Sequence, residues 1–530
     1  MTIDYAPLPR SSSDLEDNNL TFNSFKDKPR RRSPRCAPSF LRKARRVCRP
    51  PYIFIFLLIF LSWQIIFNAS YINPPPFLLD DQETVYIAAN IIDADLINGA
   101  WGKSLLGLVD LIGKERVFVS IYGGPADALK ELEAKLPCEK SIVSQDADPI
   151  PLNEIPHTEL PTGEHRIKRI AYLAEVRNKA LVPLDTLTKK YDRVLFINDV
   201  YFNPMDAARL LWGTNLNADG KAEYKAVCGT DFVTSWKYYD TFATRDLEGY
   251  SIGVPIFPWF AGEGDAVTRK DVLAGKDAVR VKSCWGGMVA FDGRYLQRDL
   301  KSLSLSATGQ KADHTSRTSL VSPTLPLRFR SEPEPFVDSS ECCLIHADII
   351  ALPTFPSIST ASKKDSWGDG IFMNPYVRVA YDAKSFSHIW IAKRFERLFT
   401  LPQGIINKLA HMPVFNPRRE EVEGQVIKDR LWISSGIGHD EHFEAEFGDA
   451  DKTWQGSDVS SRDLERRDTI GSFKNKDEWD GEGHYIDYDR VATRGGYCGV
   501  RQLLVLKEGH LDDGEGNWDN LRDMVPPLEM

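Results

Sequence analysis

The sequence contains no Cys-x-x-Cys pair, so a structural zinc site is not expected. Outside one segment it has fewer basic than acidic residues. Residues 26–49 hold eleven of the 66 Lys and Arg residues and one of the 75 acids, which leaves 55 basic and 74 acidic residues, a net charge of −19, for the rest of the chain. A body with this charge is not expected to bind nucleic acid. The length of 530 residues allows one large domain with appendages or two domains.

An N-terminal apolar run is long enough to suggest a membrane anchor. Residues 52–67 (YIFIFLLIFLSWQIIF) contain no charged residue, and as a helix they would span about 24 Å, which suits a thin internal membrane. The basic segment before the run predicts a cytosolic N-terminus and a single-pass type II topology. A cleaved signal peptide would have a shorter charged region, and the adjacent run disfavours a nuclear-localisation signal. We expect a Golgi or ER membrane protein with a lumenal catalytic domain.

Composition divides the chain further. Six cysteines follow the apolar run and would lie on the oxidising side of the membrane, so one or two disulfides are expected, with their connectivity open. The predicted divisions are a basic disordered tail (1–50), a transmembrane signal-anchor helix (51–68), a stem (69–82), an α/β domain (83–400) with a flexible insertion (300–340), and a charged C-terminal extension (401–530).

Strand-like and helix-like segments alternate after residue 83. Apolar segments rich in β-branched and aromatic residues predict buried strands, and the segments between them have helical periodicity. This alternation predicts an α/β protein with a mostly parallel sheet and right-handed crossovers. The predicted strands cover residues 84–91, 116–124, 141–144, 192–199 and 224–232, and the predicted helices cover residues 98–113, 125–136 and 166–184.

One predicted strand, within residues 194–202 (VLFINDVYF), ends in two polar residues, Asn198 and Asp199. Ligands of open parallel sheets bind beyond the carboxyl ends of the strands, so this pair predicts a binding pocket. Alternatively, Asp199 only caps the next turn. In the preceding helix, Arg177 lies seven residues after Ile170 and falls on the apolar stripe. Arg177 either contacts a phosphate or nucleotide, or it forms a structural ion pair with a nearby Asp or extends past the core to water.

Acids and aromatic residues cluster farther along the chain. Asp231 ends the next predicted strand, and residues 238–252 combine Asp240 and Asp246 with four aromatic side chains. Carboxylates beside aromatic faces are typical of sites that hold sugars, although a solvated loop has the same composition. The segment is therefore a candidate wall of the pocket.

Two single residues complete the set of candidates. Trp285 lies beside two glycines, where its ring would be able to stack on a sugar. His346 lies in an apolar run, where a core histidine is the more common occurrence and a metal ligand is the alternative.

Seven blocks of this sequence, in order, resemble the fungal α-1,3-mannosyltransferase and capsule-associated protein family, glycosyltransferase family 69. Together they cover about residues 83–395. Each block alone has low specificity, and the seven in order are specific. They read YLAEVRNKALVPL, VLFINDVYF, CGTDF, YYDTFATRDLEG, SCWGGMVAFD, ECCLIHADII and NPYVRVAYD.

The resemblance implies a GT-A type, Rossmann-like nucleotide-sugar fold in a type II membrane protein of the fungal secretory pathway. It implies retaining transfer of mannose from GDP-mannose to a mannose-containing glycan in α-1,3 linkage, for capsule, cell-wall or glycoconjugate synthesis. The departing diphosphate needs positive charge, normally Mn²⁺ or Mg²⁺ held by an Asp-x-Asp signature. This chain departs from the signature, because Asn198-Asp199-Val200 offers one acid.

Carried to this sequence, the resemblance suggests roles for individual residues. It leaves open whether the catalytic carboxylate orients the acceptor hydroxyl or stabilises an oxocarbenium-like centre. The expected roles are nucleotide-sugar binding by Arg177, Asn198 and Asp199, metal binding by Asp199 and His346, catalysis by Asp240 or Asp246, and acceptor binding by Trp285.

Two other functions are compatible with the sequence. The missing second acid fits a catalytically silent lumenal protein that supports polysaccharide assembly or export. A retaining glycoside hydrolase would require two carboxylates about 5 Å apart and no nucleotide binding. The glycosyltransferase is the favoured interpretation.

Overall fold

The computed structural model describes residues 50–160, 164–298, 325–352, 367–434, 483–507 and 517–521. The predicted tail before Pro50 lies outside these residues. Of the predicted insertion 300–340, only residues 325–340 are described.

The described residues form helices and strands that alternate through the first half of the chain. The helices are α1 (Pro50–Phe67), α2 (Ala94–Asn98), α3 (Ala100–Ile112), α4 (Ala126–Lys135), α5 (Arg169–Leu181), α6 (Pro183–Thr186), α7 (Pro204–Trp212), α8 (Val267–Leu273), α9 (Glu341–Ala351), α10 (Ala383–Phe395) and α11 (Thr400–Leu409).

The strands are β1 (Val85–Ala89), β2 (Val117–Gly123), β3 (Glu139–Ser144), β4 (His157–Glu159), β5 (His165–Ile167), β6 (Arg193–Ile197), β7 (Ala226–Thr234), β8 (Lys237–Tyr238), β9 (Arg245–Asp246), β10 (Val279–Ser283), β11 (Met288–Asp292), β12 (Val337–Ser339), β13 (Ile371–Ala380), β14 (Val426–Ser434), β15 (Gly483–Val491), β16 (Gly499–Arg501), β17 (Leu504–Leu506) and β18 (Trp518–Asn520).

A ten-stranded mixed sheet organises the main body. Its order is β3-β2-β1-β6-β11-β7-β13-β10-β9, with β8 paired to β7. Strands β3, β2, β1 and β6 are parallel neighbours, and β7 and β13 form a second parallel pair. Strand β11 runs antiparallel between β6 and β7 and joins the two parallel parts. The prediction of an α/β protein with a mostly parallel sheet is confirmed.

Helices cover both faces of this sheet. In β1, Val85 and Ile87 face a core formed with α3, α4 and α7, whereas Tyr86 and Ala88 face a second core formed with α5, α6 and α9. Strand β1 is therefore apolar at every position instead of alternating, which explains its continuous apolar segment in the sequence.

Helix α1 stands apart from these cores. Nearly all of its large apolar side chains are exposed, and Gln64 is buried at the end that contacts α10. No helix in the described part of the chain combines the length and apolar character needed to cross a membrane.

Two disulfides connect segments that are distant in the sequence. Cys228 in β7 pairs with Cys284, which follows β10, and Cys343 in α9 pairs with Cys498. Strand β16, next to Cys498, pairs with β12. The second disulfide and this strand pair attach part of the predicted C-terminal extension directly to the α/β body.

Candidate active site

A cleft of about 2040 Å³ opens where several sheet strands end. The last residues of β1 and β6, Ala89 and Ile197, are paired in register, so Asn90 and Asn198 leave the sheet side by side. Both line the cleft, as does Asp199. This position beyond the carboxyl ends of parallel strands is where the sequence predicts the pocket.

Arg177 is fixed in the cleft wall by several contacts. Its Nε donates a hydrogen bond to Oε1 of Glu341 at 2.8 Å, and its Nη1 donates to Oδ1 of Asn198 at 3.4 Å. Its guanidinium also lies 4.3 Å from the ring centroid of Trp285. Arg177 thus forms a structural ion pair, which was one of the predicted alternatives. Its partner is a Glu in place of the predicted Asp. Arg177 is also a cleft residue.

Asn198 accepts hydrogen bonds from three neighbouring side chains. Besides Arg177, its Oδ1 accepts a hydrogen bond from Nε1 of Trp285 at 3.0 Å, and its main-chain carbonyl accepts one from Nε1 of Trp101 at 2.9 Å. These contacts place its side-chain oxygen toward protein donors. Asp199, the next residue, is half-buried and supplies a carboxylate to the cleft.

A second carboxyl pair lies in the same cleft. Asp231 in β7 is fully buried, its Oδ2 is 2.9 Å from the hydroxyl of Tyr381, and its Oδ1 accepts from the main-chain N–H of Asp240 at 3.1 Å. Burial, and then the neighbouring charge of Asp240, raise the pKa of Asp231 to about 8. A carboxyl group that keeps its proton near neutral pH in a cleft has properties typical of a functional site.

Asp240 is held more firmly than a solvated acid would be. Its Oδ2 accepts from the hydroxyl of Thr244 at 2.8 Å and from the main-chain N–H groups of Trp285 and Gly286, and its Oδ1 accepts from that of Ala243. Gly286 has φ +58°, and a Cβ there would lie 2.1 Å from the Gly229 carbonyl oxygen, so this turn requires glycine. Asp240 lines the cleft, and its hydrogen bonds connect the turn at 240–244 with the turn at 285–286.

The structure separates Asp246 from Asp240. Asp246 belongs to β9, and its Oδ1 accepts from the main-chain N–H groups of Glu248 and Tyr250. Burial raises its pKa to about 6. Among the described residues that line the cleft, Asp240 is present and Asp246 is not. The geometry therefore favours Asp240 of the two catalytic candidates.

His346 lies in the core and away from the cleft lining. It is fully buried in α9 and packs on the ring of Phe291, and its Nδ1 donates to the Cys342 carbonyl at 2.7 Å. Burial lowers its pKa to about 4, so the ring is neutral. Its helix turns it toward the sheet, so the structure does not bring it to Asp199 as a second metal ligand. Within the described residues, no group of three or more His, Cys, Asp or Glu side chains is arranged to hold a metal.

Trp285 lines the cleft but presents little free surface. It is 4% exposed, its ring packs on Phe196 and Phe329, and the Arg177 guanidinium covers it. In this arrangement Trp285 supports Arg177. The prediction that it stacks on a sugar would require Arg177 to move.

Three site residues were not among the sequence candidates. Asp231 was visible as an acid at a strand end, the same signal that identified Asp199. Glu341 and Tyr381 carried no local signal, because each reaches the cleft only through the packing of α9 and β13 against β7 and α5.

Comparison with known proteins identifies the class of this chain. Residues 84–348 match a family described as Cryptococcal mannosyltransferase 1, so the chain is a glycosyltransferase by class. The match spans half of the sequence, and the chain belongs to this mannosyltransferase family. The family suspected from the seven blocks is confirmed. No curated protein shows significant sequence similarity to this chain.

The solved structures that match this chain are remote from it. Glucosyl-3-phosphoglycerate synthase from Mycobacterium tuberculosis, in complex with Mn²⁺, UDP and phosphoglyceric acid, is 13% identical; the alignment covers 68% of this chain and 90% of that one, with a TM-score of 0.28. A mannosyltransferase from Pyrobaculum calidifontis, in complex with GDP-Man and Mn²⁺, is 10% identical over 68% of this chain and 87% of its own, with a TM-score of 0.27.

Proposed function

We propose that this protein transfers mannose from GDP-mannose to a mannose-containing glycan, in α-1,3 linkage and with retention. It would act as a GT-A type enzyme in capsule, cell-wall or glycoconjugate synthesis of a fungal secretory pathway. The observation that carries the proposal is the cleft beyond β1 and β6, where the Asp199 carboxylate and the Arg177 guanidinium share one space. Membership of a mannosyltransferase family supports the choice of donor sugar.

The charges in the cleft suit a nucleotide diphosphate donor. Transfer leaves negative charge on the departing diphosphate, and a fixed cation in a site sheltered from water stabilises it. Arg177 supplies such a cation, and its contacts with Glu341 and Trp285 fix the guanidinium before a ligand arrives. Asp240, held by four donors, is the carboxylate we assign to the transfer step.

A divalent cation fits this site as a partner of the donor. Mg²⁺ and Mn²⁺ prefer oxygen ligands, and Mg²⁺ at nucleotide sites is held by one or two carboxylates together with phosphate oxygens and water. Asp199 offers a carboxylate on the cleft, so we assign it to the cation, which would neutralise the diphosphate. Asn198 is not assigned to it, since its oxygen already accepts from Trp285 and Arg177.

We also propose a single-pass type II topology, with the anchor at residues 51–68 and a lumenal catalytic domain in the Golgi or ER. Support comes from the charge-free apolar sequence and from the basic segment that precedes it. The two disulfides support an oxidising compartment for the domain that carries them.

A catalytically silent protein that supports polysaccharide assembly or export is the second candidate. Two observations favour it: the ion pair that already occupies Arg177, and the single acid of Asn198-Asp199-Val200. In such a protein the cleft would bind a glycan without transferring a sugar.

One experiment separates the two candidates. The purified full-length protein is incubated with a panel of radiolabelled nucleotide sugars and short mannose acceptors, with and without a chelator. We expect transfer from GDP-mannose that stops with chelator and with Asp199→Ala. Glycan binding without transfer or hydrolysis of any donor would favour the silent protein. Product linkage analysis then tests α-1,3 transfer and retention.

A further inference from the structure

Helix α11 has its polar and apolar faces reversed. Gln403 is completely buried and Asn407 is 5% exposed, whereas Leu401 and Leu409, on the opposite side, are 74% and 75% exposed. Leu401, Ile405 and Leu409 are spaced four residues apart and form one continuous stripe. A surface helix normally points such a stripe into the core.

Hydrogen bonds explain how the polar side docks. Nε2 of Gln403 donates to the carbonyl oxygens of Val254 and Trp259, and Oδ1 of Asn407 accepts from the main-chain N–H of Val254 at 2.7 Å. These contacts satisfy the backbone of a loop and fix the helix by its polar face. The buried polar residues therefore fix the helix with its apolar stripe outward. The exposure of the stripe does not result from fraying of the helix end.

The exposed stripe continues onto neighbouring segments. Trp390 in α10 is 61% exposed, and Leu398, which precedes α11, is 37% exposed. We call the outward apolar side chains of residues 390–409 the docking face. Large contiguous apolar surfaces of this kind mark an interaction site.

The charge of this region is opposite to that of the body. Residues 383–415 contain five Lys and Arg residues, and Glu396 is their one acid, whereas the chain outside residues 26–49 has a net charge of −19. Glu396 is buried in an ion pair with Arg378, at 2.7 Å, and adds no exposed negative charge. Little of the positive charge around it is exposed either, because burial lowers the pKa of Lys393 to about 7 and Arg397 donates to the Leu273 carbonyl. The region therefore presents exposed Trp and Leu side chains with little charge of either sign, as the apolar face of an interfacial helix does.

Helix α1 joins the docking face at one end. Nε2 of Gln64 donates to the carbonyl oxygen of Arg394 at 3.1 Å, and the main-chain N–H of Ser70 donates to that of Lys393 at 2.9 Å. The exposed apolar side chains of α1 thus begin next to α10. A second copy of the chain would not need this continuity, whereas a bilayer would receive both surfaces.

We propose that the docking face rests on the lipid bilayer, with Leu401, Ile405 and Leu409 in the interfacial region. Another side of α11, between its buried polar face and the stripe, forms part of the cleft wall through Gly404, Asn407 and Lys408. The catalytic domain would therefore lie against the membrane surface in one fixed orientation. It would not rotate freely on a flexible stem. This inference goes beyond sugar transfer and does not depend on it.

The test uses the full-length protein in vesicles of phosphatidylcholine with or without phosphatidylserine. Cys36 and Cys48 are changed to Ser, and an environment-sensitive fluorophore is attached to Ile405→Cys or to the control Lys130→Cys. Lys130 is exposed on α4, which packs on β3 at the opposite edge of the sheet. We expect a blue shift and strong quenching by nitroxide lipids at position 405 in both lipid mixtures, and neither effect at position 130.

A charge variant provides the second measurement. In the Ile405→Cys background, Leu401→Glu with Leu409→Glu should abolish lipid quenching without lowering the melting temperature, because both side chains are mostly exposed. Equal access of an aqueous quencher to both labels, in protein that floats with the vesicles, would overturn the proposal. A blue shift without lipid quenching, together with a doubled mass by light scattering, would also overturn it, in favour of a second copy.

Discussion

The guanidinium of Arg177 is held between the carboxylate of Glu341, at 2.8 Å, and the ring of Trp285, at 4.3 Å from its centroid. The Glu341 side chain is 4% exposed, so this ion pair is sheltered from water. The arginine is therefore needed by the fold and is available to the cleft, and the two roles require separate tests.

Arg177→Ala should lose both stability and GDP binding. Removing one partner of a buried ion pair costs about 3–5 kcal/mol, because Glu341 is left as an unpaired buried charge. The double variant Arg177→Met with Glu341→Gln removes that charge and should recover most of the lost stability, yet still not bind GDP. Thermal unfolding with and without GDP measures both effects, since a ligand of the folded state raises the melting temperature.

Glu341→Gln is the matched control for this pair. It keeps the guanidinium over Trp285 and should retain GDP-dependent stabilisation. If the double variant were stabilised by GDP as much as the wild type, Arg177 would be a structural residue only.

Asp199→Asn should abolish metal-stimulated sugar transfer and leave the fold intact. The amide keeps the shape of the side chain but removes the charge that a cation requires, and loss of one electrostatic contact to a departing group typically costs ~100-fold or more in rate. Initial rates at increasing Mn²⁺ measure the effect. Asp127→Asn, at an exposed position of α4, should retain the wild-type rate. Equal activity of the two variants would remove Asp199 from the proposed site.

Asp231→Asn should stabilise the protein increasingly as the pH rises. The folded protein keeps the Asp231 proton up to a pKa of about 8, whereas the unfolded chain releases it near 4, so the wild type loses stability with rising pH across that window. The variant lacks this dependence. The stability difference should grow by up to about 1.4 kcal/mol per pH unit between these values. Denaturant unfolding at several pH values measures it, and a constant difference would contradict the assignment.

His346→Leu should leave Mn²⁺ dependence unchanged. Its Nε2 has no hydrogen-bond partner among the described residues, and the ring fills core space beside Phe291. A substitution of similar volume should cost less than about 1.5 kcal/mol. This histidine has a pKa of about 6.5 in the unfolded chain, whereas burial lowers its pKa to about 4 in the folded protein. The wild type should thus lose stability relative to the variant as the pH falls from 6.5 to 4. A lower Mn²⁺ affinity of the variant would restore His346 as a ligand.

Strands β1 and β2 of the main sheet were predictable because both of their faces are buried. Predicted strands at 84–91 and 116–124 correspond to Val85–Ala89 and Val117–Gly123, since a fully apolar segment bounded by polar residues leaves few alternatives. The predicted helix at 166–184 is Arg169–Leu181 followed by the short helix Pro183–Thr186. Proline at residue 183 breaks the hydrogen-bond ladder there.

The site was predictable only where its signal was local. Asn198 and Asp199 end a strand, so their position followed from the strand itself. The partner of Arg177 did not, because Glu341 is 164 residues away and meets it only when α9 packs on α5. The sequence likewise did not distinguish Asp240 from Asp246, whose different surroundings arise from the pairing of β9 with β10.

Loss of the Cys343–Cys498 disulfide should release the C-terminal segment from the body. This bond acts with Arg245, whose Nε and Nη2 donate to the carbonyl oxygens of Tyr497 and Cys498 at 2.7 and 2.9 Å. Cys343→Ala with Cys498→Ala should make residues 483–507 sensitive to protease, because only noncovalent contacts, such as those of Arg245 and the pairing of β16 with β12, would then keep them in place. Mass spectrometry of fragments from limited proteolysis identifies the cut sites.

Cys228→Ala with Cys284→Ala is the control for this result. Its disulfide closes a loop of 56 residues against 155, and chain entropy gives the two bonds similar contributions of about 4–5 kcal/mol, so both double variants should lose similar stability. The control should keep the C-terminal segment protected, since the bond that it removes joins β7 to the turn that carries Trp285. Cleavage within 483–507 at equal rates in both variants would mean that general destabilisation opens the segment, and that the second disulfide has no local role.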